Sequence, residues 1–121
     1  MISTFAIVFL GGFIGTFLRG MVMLYTTTWL SLWIVNVIGS FMIGLLQGYY
    51  RTRQDKKMSL FLLVGLLGSF TTFSAFCTQW LQLLERTPLM AAAYAVGMPL
   101  VCIALTSCGW LLATKGVLHK K

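Results

Sequence analysis

The stretch GLLGSFTTFSAF, residues 65–76, sets glycines and hydroxyls among phenylalanines inside a long apolar run. Gly68, Ser69, Thr71 and Thr72 fall near the middle of that run. Gly weakens a helix, and Ser and Thr offer its backbone competing hydrogen bonds. A helix broken here frees N–H and C=O groups at bilayer depth, each costing several kcal/mol if unpaired. Freed carbonyls suit a bare cation, whereas freed N–H groups and hydroxyls suit an anion. An unbroken helix with its hydroxyls bonded to the preceding turn fits the residues equally well. Asn36 also needs an explanation, because an amide deep in an apolar stretch requires a partner or a wet cavity. Arg19 lies roughly 9 Å inside its apolar run at 1.5 Å per residue, so it could snorkel as an anchor or act as a functional cation.

These residues need a frame, and composition supplies it. Of 121 residues, 59% are hydrophobic and only 9% charged. A soluble domain would carry about a quarter charged residues, and a single small core cannot hide this much apolar surface. The expected fold class is an all-α membrane protein: one four-helix transmembrane domain, residues 1–121. Its spans run from about 2–25, 29–50, 59–84 and 89–114, each near the 20 residues a crossing needs. No Lys or Arg precedes the first run, so it reads as a span and not as a cleaved signal. RTRQDKK, residues 51–57, is a hydrophilic loop, and Glu85-Arg86-Thr87-Pro88 is a turn because Pro88 cannot continue the preceding helix.

Within the spans, small and polar residues recur at four-residue spacing and therefore share faces. Gly11, Gly15 and Arg19 form one such face, and Asn36, Ser40, Gly44 and Gly48 form another. Tyr94, Met98, Cys102 and Thr106 form a third, with Pro99 beside it as an expected kink. Small residues at this spacing let helices approach closely in lipid. Cys77, Cys102 and Cys108 show no CxxC spacing and read as apolar filler. The net charge of +7 sits at segment ends, without the interleaved aromatics of a nucleic-acid platform. Nucleic acid is not expected as a partner; the lipid bilayer is.

Three motifs, GGFIGTFLRG (11–20), NVIGSFMIG (36–44) and GLLGSFTTFSAF (65–76), resemble the Fluc (CrcB) family of fluoride-specific ion channels in order and spacing across essentially the whole chain. The resemblance implies an antiparallel dimer with two narrow fluoride pores and a third helix broken at mid-membrane. It implies one structural sodium ion, not transported, held by the backbone carbonyls of Gly68 and Thr71. It matches Phe73 and Phe76 to the pore phenylalanines, Asn36 to the pore amide donor, Tyr94 to the fourth-helix tyrosine and Arg19 to the vestibule arginine. Ser74 and Thr72 are further candidate donors. The family block commonly reads GGxTTFSTF, whereas this chain has Ser69 and Ala75; it also has Gln79 and Met98 where Glu and Ser are frequent.

Physics is compatible with that resemblance. Fluoride is small and strongly hydrated, so a dry pore must replace its water with donors. A phenyl ring edge is the positive end of the ring quadrupole and can meet an anion edge-on. The expected function is passive fluoride efflux that lowers cytoplasmic fluoride. Two alternatives remain: a non-conducting or half-pore partner subunit of a heterodimeric fluoride channel, and a small proton-coupled exporter. An exporter needs a titratable group within the membrane, but Asp55, Glu85 and His119 all lie in loops or the tail. No nucleophile–base pair points to an enzyme. With the N-terminus inside, seven cations (Arg51, Arg53, Lys56, Lys57, Lys115, Lys120, Lys121) lie inside and two (Arg19, Arg86) outside. That bias predicts cytoplasmic termini in the cell membrane and favours a differently biased, Fluc-like second subunit over a homodimer.

Overall fold

The computed structural model describes residues 1–118. His119, Lys120 and Lys121, part of the expected cytoplasmic tail, lie outside the described residues. All regular structure among the described residues is helical, and four stretches are long and apolar enough to cross a membrane: Ile2–Tyr25, Thr28–Tyr50, Lys56–Arg86 and Pro88–Gly116. These match the four expected spans, each extending slightly past or meeting the expected ends.

Helix α1 is Ile2–Tyr25 and α2 is Thr28–Tyr50. Between them, Thr26 donates back to the Val22 carbonyl at 2.6 Å, and Thr27 caps α2 by accepting the Leu30 N–H. Asp55 caps the next helix through the Met58 N–H at 3.2 Å, as short acceptors do at N-termini. The third stretch is composite: α3 Lys56–Ser59, a π-wound segment Leu60–Leu67, α4 Gly68–Phe70, then α5 Phe73–Arg86. Helix α6, Pro88–Leu118, begins on Pro88, where the missing N–H costs nothing. It runs through Pro99 as one element.

Glycines bring the helices together. A Cβ on Gly15 would collide with the Leu66 carbonyl, and one on Gly44 would collide with the Thr106 carbonyl. So α1 lies against the π-wound segment and α2 against α6, backbone to backbone, as small residues permit. Gly39 leaves room for the Thr71 methyl in the same way. The fully buried apolar core is small: Leu32, Val35, Leu67, Ala91, Tyr94 and Met98. Large residues such as Phe5, Phe9, Phe13 and Phe17 point outward, the inverse of a water-soluble bundle and the pattern a lipid-facing surface requires.

Candidate functional site

The third helix does break, between Thr71 and Thr72, at the midpoint of Lys56–Arg86. Thr71 has φ −76° and ψ 156°, and Thr72 has φ −145° and ψ 119°. Both are extended, and the side chains around them decide where the freed backbone groups go. A continuous helix would send the Thr72 N–H to Gly68. Here it goes to Asn36 Oδ1 at 3.0 Å, and Asn36 Nδ2 donates to the Thr72 carbonyl at 3.3 Å. A continuous helix would send the Ala75 N–H to Thr71. Here it goes to Thr72 Oγ1 at 3.3 Å. The Gly68 and Thr71 carbonyls thus lose the donors that helical geometry would give them.

Asn36, 8% exposed, therefore does more than face a cavity. It bonds both polar groups of one extended residue, as a neighbouring strand would. Its second amide hydrogen points toward the Met98 thioether at 3.9 Å, a weak acceptor. Thr72, expected as a free donor, is mainly the N-cap of α5, and its hydroxyl also lies 3.4 Å from Ser74 Oγ.

A cavity of 230 Å³ opens at the break. It is lined by Asn36, Ser40, Thr71, Thr72, Phe73, Phe76, Met98, Pro99 and Cys102. Five of the expected site residues meet there: Asn36, Thr71, Thr72, Phe73 and Phe76. The N-terminus of α5 sits at its edge, bringing the positive end of a helix dipole to mid-membrane. Phe73 and Phe76 stack with centroids 5.6 Å apart, and Phe76 stacks on Tyr94 at 5.0 Å. With Phe76 stacked on both, its ring edge is what remains to meet the cavity.

Tyr94 lies behind this pair. Trp29 at 4.9 Å and Trp33 at 6.2 Å complete its aromatic surround. Its hydroxyl is buried without a hydrogen-bond partner among the described residues. Ser74 is exposed on α5 and outside the cavity wall, as is Gly68. Arg19 is half-buried on α1, one turn past Gly15 and so level with α4, also away from the cavity. Sequence reasoning missed Trp29 and Trp33, whose only signal is their clustering at one end of α2. Ser40 appeared only as a member of a stripe, and Cys102 as a stripe member and apolar filler. The three cysteines are free thiols. No group of three metal-ligating side chains occurs among the described residues; a cation at the break would depend on carbonyls.

The chain matches the family described as "CrcB-like protein, Camphor Resistance (CrcB)" over residues 6–110. It belongs to the CrcB family. Among its relatives is a protein named fluoride-specific ion channel FluC from Rhodopseudomonas palustris, 36% identical, with 84% of this chain and 89% of the relative covered. A FluC from Oceanobacillus iheyensis is 37% identical, with 88% of each chain covered. One from Nitrobacter hamburgensis, named FluC 2, is 33% identical over 82% of this chain and 87% of its own length. The CrcB match contains the whole break, both phenylalanines and Asn36.

Proposed function

We propose that this chain is a subunit of a fluoride-specific ion channel in the cell membrane, through which fluoride leaves the cytoplasm passively. The observation that carries this reading is the break at Thr71–Thr72, opening into a cavity walled by Phe73, Phe76 and Asn36. Fluoride entering it would exchange water for fixed donors. The first-turn N–H groups of α5, the Ser40 hydroxyl and the second Asn36 amide hydrogen are the candidates. The amide now faces only a thioether, and an anion is the better acceptor. The edge of Phe76 adds positive potential, and ring walls disfavour larger anions. Fluoride efflux from liposomes, with chloride as the control, tests this.

Phe73 lines the cavity yet is 75% exposed, so one chain leaves the wall incomplete. A second subunit, packed antiparallel, would cover Phe73 and bring a second break toward the first. The Gly68 and Thr71 carbonyls fit a structural sodium ion in such an arrangement. They are hard oxygen donors, their helical partners are diverted, and a Cβ on Gly68 would meet nothing closer than 3.6 Å. Sodium would supply a cation for carbonyl lone pairs that lipid cannot solvate.

The cation count favours a heterodimer as the more specific reading. A subunit with seven cations at one end and two toward the other resists inserting both ways. The second subunit would then be a Fluc-like chain of opposite bias, and both termini of this chain would be cytoplasmic. A C-terminal reporter fusion tests this: equal populations on both faces, with fluoride resistance from this chain alone, would contradict it.

A further inference from the structure

A second groove, of 350 Å³, runs between α2 and α6 and is lined by Gln47, Thr106, Ser107, Trp110 and Leu111. Thr106, a wall of this groove, is bonded to two residues that line the Asn36 cavity. The Thr106 hydroxyl lies 3.0 Å from the Ser40 carbonyl and 2.9 Å from the Cys102 carbonyl, and Ser40 and Cys102 both line the first cavity. Asn36, Ser40 and Gln47 share one face of α2 by their spacing. Gln47 is about 10 Å beyond Ser40 along the helix.

Arg51 stands at the end of that face. Its guanidinium carbon is 5.6 Å from the centre of the Trp110 ring, and Trp110 is a wall of the groove. A guanidinium laid over a ring keeps its N–H edge available to an anion. The nearby acid, Asp55, is engaged in capping the third helix through the Met58 N–H. The groove therefore combines an exposed amide and a positioned cation on an otherwise apolar helix pair, while the exposed Ser107 hydroxyl donates to the Ile103 carbonyl at 2.9 Å.

We propose that this groove is an antechamber for a small hydrated anion. Arg51 concentrates the anion, and the Gln47 amide takes over part of its hydration before it passes Thr106 to the Asn36 cavity. This rests on the channel reading above. It places a capturing arginine at the end of the bundle opposite Arg19, because α1 and α2 run in opposite directions. The nearby Arg53 provides an internal control. It lies over Tyr49 at 4.4 Å, and Tyr49 is not part of the groove.

The test is fluoride efflux from liposomes of zwitterionic lipid carrying the channel assembly, at low and high ionic strength. Arg51→Gln should lower the flux about tenfold at low ionic strength, the lower end of what electrostatic focusing supplies. The loss should nearly vanish at 1 M salt, where the Debye length is about 3 Å. Arg51→Lys should retain most of the flux, and Arg53→Gln should match the unaltered channel. Gln47→Leu, a second and uncharged probe, should lower flux at both salt concentrations because hydrogen bonding is short-ranged. Unchanged flux in both Arg51→Gln and Gln47→Leu would overturn the proposal. Equal losses from Arg51→Gln and Arg53→Gln would overturn it in favour of diffuse surface charge. An Arg51 effect seen only with anionic lipid present would overturn it in favour of a lipid headgroup. Phe76→Ile, run alongside, tests the channel reading itself. If it abolishes flux while the groove variants do not alter it, only the antechamber fails.

Discussion

Asn36 and Thr72 are joined by two hydrogen bonds, 3.0 Å from the Thr72 N–H to Oδ1 and 3.3 Å from Nδ2 to the Thr72 carbonyl. An amide side chain thereby stands in for a missing turn of helix at mid-membrane. The break persists because its most exposed cost, an unpaired N–H and C=O away from water, is met by one residue 36 positions earlier in the chain.

Asn36→Leu removes both partners at once. Each buried group left unpaired costs about 1–3 kcal/mol, so the variant should lose about 2–6 kcal/mol of stability. Asn36→Asp keeps an acceptor for the Thr72 N–H and should lose less. Unfolding of the purified assembly in denaturant would measure the difference. Equal stability of Asn36→Leu and the unaltered protein would show that the break is held by something else.

Phe76→Ile preserves apolar bulk and removes the ring. The stacking lost to Phe73 and Tyr94 is worth about 1 kcal/mol, too little to unfold the chain. The assembly should form with normal helix content while fluoride flux falls at least tenfold. Normal flux would mean that the rings only pack.

Gly68 and Gly44 should respond oppositely to a side chain. Gly44→Ala drives a Cβ into the Thr106 carbonyl, and overpacking of this kind costs about 1–3 kcal/mol. Gly97→Ala meets nothing within 4 Å and should be neutral. A Cβ on Gly68 meets nothing closer than 3.6 Å and the residue is exposed within one chain, so the fold of a Gly68→Leu chain should survive. If Gly68 lines a sodium site shared between subunits, the variant should nonetheless lose dimer and flux, whereas Thr71→Ala should retain both. Size-exclusion chromatography with and without sodium measures this. A Gly68→Leu dimer as stable as the unaltered one, indifferent to sodium, would contradict a carbonyl site.

Much of this architecture was legible in the sequence. The four apolar runs located the spans. Gly68, Ser69, Thr71 and Thr72 allowed a break, because glycine and short hydroxyls weaken a helix, but they fitted an unbroken helix equally well, and only the family resemblance pointed to the break. The partners of the break were harder to read. The residues said only that Asn36 needs a partner or a wet cavity, and the resemblance made it a pore donor; its bond to Thr72 depends on how α2 packs against the third helix, which periodicity does not encode. Thr72 looked like a free hydroxyl for the same reason, since a cap is visible only once the helix start is placed. The π-wound segment Leu60–Leu67 was invisible, because LFLLVGLL offers no polar residue to mark a change of winding. Trp29 and Trp33 carried no reading in the sequence, and only tertiary contact turns them into the surround of Tyr94.

The central claim is that fluoride passes through the cavity at the break without coupling to protons. The direct measurement is fluoride release, followed with a fluoride-selective electrode, from liposomes carrying the assembly isolated through a tag on this chain from its own membrane. The account predicts rapid fluoride release with no pH gradient, while liposomes loaded with chloride stay tight. Release that stalls without a proton gradient, or no fluoride release at all from a folded assembly, would contradict it.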